Sequence, residues 1–262
     1  MKILHWNCQG LGSPLTVPHL KDIRKNQKPD IILLVETKNV NSYVVSVAKE
    51  LGYEHYSVVS ANGRAGGVAL LWNDRVKIHF LGKPTLYYTD MCVEEGCNTF
   101  WMTYIYIYEN PIVKYRQNQW LQLISSEHAG FLRNKPRLLI GDFNDIKGKE
   151  EKQGGILRSD TSCYLFKRML AVIGLHDIKT LGGRFTWMGK RPKYTVMTKI
   201  DRAVANCDWM DIYPMASVSL LPWIGCDHRP LLLNTEANKW KKLKTLSDMI
   251  AGGGYFLILS RL

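Results

Sequence analysis

Residues 137–145 read RLLIGDFND, and this stretch decides how the rest of the sequence is interpreted. An arginine and three apolar residues run into Gly141, and three of the next four side chains are polar. A buried strand that ends in an active-site loop has this pattern, which makes Asp142 and Asn144 candidate site residues. Phe143, between them, is expected to point the opposite way into the core, and Asp145 is interpreted as a turn residue. The alternative is that GDFND is a surface turn, because glycine, aspartate and asparagine favour turns.

Polar residues stand at four more points where apolar runs begin or end. Asn7 follows KILHW, Glu36 follows IILLV, Asp201 follows the strand-like pair KI, and Asp227 with His228 precedes an apolar strand. One acid after a strand is common. The same arrangement at so many strand ends is hard to attribute to turn preference, so we expect these residues to form one site.

The chemistry of these residues is consistent. Hard oxygen ligands such as Asn7, Glu36 and Asp227 suit Mg²⁺, which binds through one or two carboxylates and substrate phosphate. His228 could contact or protonate a phosphoryl oxygen, and Asp201 could fix the histidine tautomer and raise its basicity. The first acid of GDFND could orient or deprotonate a water molecule.

The composition predicts a polyanionic partner. The 262-residue chain is 46% apolar and 22% charged, so it can bury a substantial core, and its net charge is +12. Residues 1–130 carry 13 Lys/Arg against 11 Asp/Glu, whereas residues 131–262 carry 22 against 12. This excess favours nucleic acid as the partner, although a basic surface that only maintains solubility would give the same charge.

Residues 182–194, GGRFTWMGKRPKY, could clamp a phosphate backbone and stack on bases, or could be a hairpin whose charges face water.

Apolar runs typical of strands alternate with helical patterns near residues 15–27, 42–51, 113–128 and 160–173. Several adjacent strand-like runs between residues 53 and 108 favour a mostly antiparallel sandwich of two sheets faced by helices, in the α+β class.

We predict one domain over residues 1–238 and an unassigned, weakly ordered tail over residues 239–262. The six cysteines lack zinc-site spacing, and no apolar leader or run of membrane-spanning length is present, so we expect a reduced, intracellular protein without a membrane segment.

Together these motifs resemble the endonuclease/exonuclease/phosphatase superfamily. They follow the family order over nearly the whole chain, as WNCQG (6–10), LVET (34–37), Tyr108, GDFN (141–144), IDR (200–202) and DHRP (227–230). Within that superfamily the chain is most similar to the endonuclease domain of LINE-type (non-LTR) retrotransposons, particularly plant ones. That similarity rests on WNCQGLG (6–12), GGVALLW (66–72), GGRFTW (182–187) and IDRA (200–203). It implies a four-layer α/β sandwich, with two mostly antiparallel sheets packed face to face and flanked by helices. It also implies DNA cleavage that depends on Mg²⁺, with Mn²⁺ as a substitute, to make the nick that would prime reverse transcription.

The resemblance also implies roles for individual residues. Glu36 would be the principal metal ligand, with Asn7 and Asp227 nearby. Asp142 would position the attacking water, and Asn144 and Tyr108 would steady the scissile phosphate. His228, held by Asp201, would stabilise the developing charge. The predicted DNA-binding residues are Arg64, Arg184, Thr186, Trp187, Lys190 and Arg191. Two of these roles have ordinary alternatives, since Tyr108 could be an aromatic residue of the sheet and Asp201 could form an ion pair with Arg202.

The chain departs from the family pattern at two positions. Cys226 stands where the family commonly has serine, and a thiol is a weaker hydrogen-bond donor than a hydroxyl. Ala65 stands where many relatives have serine in the glycine-rich loop. Residues after about 238 match no family element, and no reverse transcriptase follows them in this sequence, so we hypothesise a truncated or domesticated element product.

The leading prediction is therefore a monomeric, metal-dependent DNA endonuclease, which would be nuclear if it acts on chromosomal DNA. Two alternatives stay open. One is a phosphatase acting on a small or lipid phosphate, because the same core supports that chemistry. The other is an inactive remnant that only binds nucleic acid.

Overall fold

The longest apolar runs of the sequence form the central strands. The computed structural model describes residues 1–61, 63, 65–83, 87–106, 113–125, 135–156 and 158–236. Within it, Ile31–Val35 and Arg137–Asp142 are strands in which every residue is buried. A continuous apolar run without alternation is typical of a strand that is covered on both faces. Lys2–Asn7 is buried in the same way from Ile3 onward.

Helices and strands are numbered here in chain order. The helices of the described ranges are α1 (Thr16–Gln27), α2 (Asn41–Glu50), α3 (Val113–Ile124), α4 (Asp160–Ile173) and α5 (Cys207–Ile212). The strands are β1 (Lys2–Asn7), β2 (Ile31–Val35), β3 (His55–Val59), β4 (Val68–Trp72), β5 (Lys77–Phe80), β6 (Tyr88–Glu95), β7 (Asn98–Tyr106), β8 (Arg137–Asp142), β9 (Lys152–Gln153), β10 (His176–Asp177), β11 (Thr180–Leu181), β12 (Trp187–Lys190), β13 (Thr195–Thr198), β14 (Asp201–Ala205), β15 (Ser217–Leu220) and β16 (Leu231–Asn234). The four helices predicted from periodicity are confirmed as α1 to α4. None of the helices in these ranges is long and apolar enough to cross a membrane.

The strands form two large sheets and one small one. The first sheet has the order β11-β15-β16-β1-β2-β4-β3 and the second the order β10-β14-β8-β7-β6-β5. A third, small sheet has the order β12-β13-β9. Neighbours in the two large sheets are antiparallel except for β1/β2, β11/β15 and β7/β8, which are parallel. Because β1 and β2 are parallel neighbours, their carboxyl ends lie side by side.

Apolar side chains form one core between the large sheets and one on each outer surface. Ile3, Leu33 and Ile140 belong to the core between the sheets. Helices α1 and α2 cover the outer face of the first sheet, and α3 and α4 cover the outer face of the second. The predicted α+β, four-layer α/β sandwich with mostly antiparallel sheets is confirmed. Residues 237–262, which include the predicted tail, lie outside the described residues.

Gly141 is required where β8 passes close to β7. Its φ is +151°, and a Cβ added to it would overlap the carbonyl oxygen of Ile105. The next residue, Asp142, is the cross-strand partner of Asp201 on one side and of Tyr106 on the other. The glycine therefore lets β8 keep its place in the sheet up to its polar end, which positions the site described below.

We predict that Gly141→Ala lowers the free energy of unfolding by about 3 kcal/mol or more, because the added methyl group meets backbone atoms that cannot rotate away. Gly52→Ala is the matched control, since Gly52 also has a positive φ of +74° but no atom lies within 4 Å of an added Cβ. There we expect only the cost of the left-handed backbone, about 1–2 kcal/mol. Urea unfolding of both variants measures the difference, and equal losses would contradict the packing argument.

Candidate active site

One cavity, of about 540 Å³, is lined by eight of the predicted site residues. They are Asn7, Glu36, Asp142, Asn144, Trp187, Arg191, Asp227 and His228. The strand order explains the convergence, because β1 and β2 end side by side while β8 and β14 face them from the other sheet. The Asn7 side-chain amide donates to Asp142 Oδ2 at 3.0 Å and so joins the two sheets at the edge of the cavity.

Asp201 and His228 form a buried pair behind the cavity surface. Nδ1 of His228 lies 3.0 Å from Oδ2 and 3.2 Å from Oδ1 of Asp201, and both residues are almost fully buried. Burial lowers the pKa of His228, but the Asp201 carboxylate, with smaller contributions from Asp142 and Asp227, more than offsets burial and raises that pKa to about 9. Burial raises the pKa of Asp201, but His228 and the hydrogen bonds that Asp201 accepts hold it well below its usual range. At neutral pH the pair is therefore an imidazolium beside a carboxylate. Arg202 pairs instead with Glu151, so the alternative role for Asp201 is not adopted.

Asp142 has the opposite protonation behaviour from Asp201. Burial, together with the neighbouring Asp201 carboxylate, raises the pKa of Asp142 to about 7. Its two oxygens accept hydrogen bonds from the Asn7 amide at 3.0 Å and from the backbone N–H of Asn144 at 2.9 Å. The carboxylate is thus fixed in orientation and titrates near neutral pH, as a group that takes up a proton in a reaction requires.

The oxygen ligands of the cavity fit a hard divalent cation. Glu36, Asn7 and Asp227 all line the cavity, and the Glu36 carboxylate accepts the backbone N–H of Gly66 at 3.2 Å. Oδ2 of Asp227 accepts the indole N–H of Trp187 at 2.9 Å. Two carboxylates and an amide that line one cavity with room for water are the donors that Mg²⁺ and Mn²⁺ take.

A second group of potential metal ligands lies deeper. Ligand atoms of Asp142, Asp201 and His228 all lie within 4.8 Å of one another. However, Asp201 is fully buried and its carboxylate already accepts N–H groups from His5 and His228. The group is an acidic and histidine site that could contact a metal, but the oxygen donors that line the cavity have more room for metal-bound waters.

The Cys226 thiol makes the kind of contacts that a hydroxyl would make. Its Sγ donates to the Asn7 carbonyl at 3.2 Å and accepts the backbone N–H of His228 at 3.4 Å. Burial raises the pKa of this thiol, so it stays protonated and keeps its donor. The hydrogen bonds at this position are therefore made by a thiol in place of the serine hydroxyl.

The GGRFTW segment, residues 182–187, supports the structure of the site more than it offers side chains to a binding partner. Thr186 is 0% exposed, and its hydroxyl accepts the backbone N–H groups of Ile200 and Asp201, each at 3.0 Å. We correct the prediction that Thr186 contacts DNA, because its side chain is inside the protein and anchors the start of β14. Arg184 packs over the Phe185 ring at 4.4 Å and, like Lys190, does not line the cavity. Trp187 and Arg191 line the cavity and Arg184 and Lys190 are exposed outside it, so all four stay predicted DNA contacts.

Two predicted residues, Tyr108 and Arg64, lie outside the described residues. Tyr106, two residues before Tyr108, lines the cavity beside Asp142, and its hydroxyl shares a hydrogen bond with Thr89 at 2.8 Å. Phe143 is fully buried against Trp120, as predicted from strand alternation.

The charged cavity residues that the sequence interpretation missed include Lys38, Lys152 and Arg158. Arg158 is held by Asp145, whose Oδ1 accepts its Nη1 at 2.6 Å. Asp145 is therefore a buried anchor for a cavity arginine, and the interpretation of it as turn chemistry was wrong. No sequence pattern marked Lys152, because its strand β9 is two residues long and forms by pairing with β13.

His228 should make stability depend on pH above neutrality. Its pKa is raised from 6.5 to about 9. Its contribution to the free energy of unfolding is therefore fully present below pH 6.5 and is lost as the pH rises through 9. We predict that the advantage of the parent protein over His228→Gln in unfolding free energy falls by about 2–3 kcal/mol between pH 7 and pH 9.5. Urea unfolding with a chelator present measures it, and an advantage that is constant over this interval would contradict the pair.

The chain is similar in sequence to a known family and in fold to several solved structures. The Endonuclease/Exonuclease/phosphatase family matches residues 4–212, whereas no curated protein matches the chain. The 3′-5′ exonuclease NExo from Neisseria meningitidis superposes with a TM-score of 0.65 at 20% identity, covering 89% of this chain and 99% of that one. The endonuclease domain of TRAS1, a telomere-specific non-LTR retrotransposon, has a TM-score of 0.62 at 16% identity, covering 91% and 99%. An AP endonuclease from Archaeoglobus fulgidus has a TM-score of 0.62 at 15% identity, covering 89% and 98%.

At these identities the structural likeness shows a shared fold. The family match is independent of it and extends over more than half of the sequence, from the first strand to α5. The chain belongs to the endonuclease/exonuclease/phosphatase family.

Proposed function

We propose that this protein is a metal-dependent phosphodiesterase, specifically a Mg²⁺-dependent DNA endonuclease of retrotransposon origin that nicks DNA by water attack on a phosphodiester. One observation carries the proposal: a single cavity brings together the Asp142 carboxylate, the His228 imidazolium and the oxygen ligands around Glu36. The Asp142 carboxylate can accept a proton, the His228 imidazolium can stabilise developing negative charge, and the oxygen ligands can bind a divalent ion.

Asp142 is the residue suited to act on water. With a pKa of about 7 it is substantially ionised at neutral pH, and the hydrogen bonds from Asn7 and Asn144 fix its direction. A carboxylate in this state can orient a water molecule and accept its proton as the oxygen attacks phosphorus. Asn144, beside it on the cavity wall, would steady the scissile phosphate, and we assign the same role to Tyr108.

His228 is the residue suited to stabilise the transition state. Its Nδ1 is engaged by Asp201, so Nε2 is the nitrogen that can donate to a phosphoryl oxygen. With a pKa of about 9 the ring is positively charged before substrate binds. A fixed positive charge aimed at oxygens whose negative charge grows is the usual largest contribution to such catalysis.

Glu36, Asn7 and Asp227 would hold the cation. When bound, Mg²⁺ or Mn²⁺ neutralises phosphate charge and polarises the phosphorus–oxygen bonds.

The wall beside these residues favours a polymeric substrate. Lys152, Arg158 and Arg191 line the cavity together with Trp187 and Tyr194, an arrangement that suits a phosphate backbone and stacked bases. Structural neighbours include NExo bound to a product DNA hairpin and zebrafish TDP2 with a single-stranded DNA product.

The likeness to the TRAS1 domain supports a retrotransposon origin. Acting as a monomer on chromosomal DNA, the protein would work in the nucleus. A phosphatase is the second candidate, because NExo is also described as a 3′ phosphatase.

We predict that purified protein with Mg²⁺ converts supercoiled plasmid to the nicked form, and that a chelator abolishes the reaction. Asp142→Asn and His228→Gln should each lower the rate by about 100-fold or more, because each removes a group that acts in the transition state. Gel densitometry over time gives the rates.

The matched control is a surface pair of the same residue types. His55 and Asp74 form an exposed ion pair at 2.6 Å, so His55→Gln and Asp74→Asn should nick at the parent rate. Plasmid that stays supercoiled with the parent protein would contradict the endonuclease. Release of phosphate from a 3′-phosphorylated oligonucleotide in that case would favour the phosphatase instead, and salt-sensitive binding without any reaction would favour the inactive remnant.

Arg191 should contact the DNA backbone. We predict that Arg191→Ala weakens binding to a duplex oligonucleotide and lowers the slope of log affinity against log salt by about 0.9, the value for one lost phosphate contact. Fluorescence anisotropy between 50 and 200 mM salt, about the range over which such contacts are resolved, measures both. Arg168→Ala, on the exposed face of α4, should change neither quantity. An unchanged slope for Arg191→Ala would remove that residue from the DNA-binding surface.

A further inference from the structure

His5 lies on the face of β1 that points between the sheets. Strand alternation puts Ile3, His5 and Asn7 on this face, whereas Leu4 and Trp6 pack under the outer helices. The His5 side chain is 0% exposed, and its Nε2 lies 3.2 Å from Oδ1 of Asp201 on the opposite sheet. Asp201 thus has a histidine on each side.

The direction of this hydrogen bond is fixed by chemistry. An ionised carboxylate only accepts, so Nε2 of His5 must carry the proton and donate it. Burial lowers the pKa of His5, so the ring is neutral at neutral pH and its Nδ1 carries no proton. This Nδ1 meets no hydrogen-bond partner among the described residues. A buried nitrogen without a partner destabilises a fold, and an apolar side chain of similar size would avoid that cost. Packing alone therefore does not explain a histidine here, whereas the contact with Asp201 does.

The contact restrains how the Asp201 carboxylate can rotate. Its Oδ1 accepts from His5 while its Oδ2 makes the shorter bond, 3.0 Å, to Nδ1 of His228. The backbone N–H of Asp201 is held separately by the Thr186 hydroxyl at 3.0 Å. Backbone and side chain are thus fixed by different groups, and the His5 bond ties the carboxylate to strand β1, which also carries Asn7.

We propose that His5 is a positioning residue for the reaction: its hydrogen bond sets the rotation of the Asp201 carboxylate, and Asp201 in turn aims Nε2 of His228 into the cavity. The proposal rests on the function proposed above and extends it with a residue outside the cavity lining. His5 touches neither the substrate nor the cation site. Replacing His5 should therefore change the rate of the chemical step, and it should do so only by altering the position of Asp201.

A double-mutant cycle tests this route. In the parent background, His5→Leu should lower kcat by about 10-fold with KM changed by less than about 2-fold, the pattern of a lost orienting partner. His5→Gln keeps a donor at the same reach and should recover kcat to within about 3-fold of the parent. In the Asp201→Asn background, His5→Leu should change kcat by less than about 2-fold, because the group through which it acts is already altered.

Ile3→Ala is the control for lost packing, since Ile3 lies on the same strand and the same face of β1 but belongs to the apolar core. It should lower the melting temperature without lowering kcat. A His5→Leu protein with the parent kcat, a His5→Gln protein as slow as His5→Leu, or equal effects of His5→Leu in both backgrounds would each overturn the proposal.

A readout without activity separates this proposal from the proposed function. The Nδ1 proton of His228, hydrogen-bonded to Asp201, should give a downfield proton resonance in NMR spectra of the metal-free protein. We expect this resonance to move or broaden in His5→Leu and to stay in place in Ile3→Ala. If the parent protein cleaves nothing, the endonuclease fails while this resonance still decides the role of His5. A resonance unchanged in His5→Leu would overturn that role.

Discussion

The Asp201 carboxylate is a negative charge buried between two β-sheets, and the arrangement of the site depends on it. Its side chain is fully buried, and a charge in that position costs several kcal/mol unless hydrogen-bond donors surround it. The donors are His5 on β1 and His228 in the segment before β16, and Thr186 before β12 holds the neighbouring backbone. These groups are far apart in the chain and meet only when the sheets have packed face to face. Correct packing of the sandwich and assembly of the site are therefore the same event.

The same buried charge explains why two acids on neighbouring strands behave differently. Asp142 and Asp201 are direct cross-strand partners, and both are desolvated. Asp201 is beside His228 and keeps its charge, so Asp142 is left with burial and a like charge, and its pKa rises to about 7. His228 gains from the same pairing, with a pKa of about 9. One group that accepts a proton near neutrality and one that stays positively charged are what hydrolysis of a phosphodiester needs within one cavity.

The sequence predicted the sandwich and the strand-end residues of the cavity because both depend on where apolar strands end. Glu36 and Asp142 could be recognised as strand-end acids without knowing which strands are neighbours. Contacts that form only after folding could not be predicted: Thr186 looked like a surface residue of a basic hairpin but lies beneath β14, and Asp145 looked like a turn but holds Arg158. His5 carried a signal in its spacing of two from Asn7, although a histidine in an apolar strand fits a simple core position equally well.

The most direct test of this account is an NMR titration of the His228 ring in the metal-free parent protein and in Asp201→Asn. The account predicts a pKa of about 9 in the parent, because the Asp201 carboxylate, with smaller contributions from Asp142 and Asp227, more than offsets burial. In Asp201→Asn, where only the smaller contributions of Asp142 and Asp227 oppose burial, it predicts a pKa clearly below that of the parent. The same pKa in both proteins would show that the buried carboxylate does not set the charge of His228, and would contradict the account.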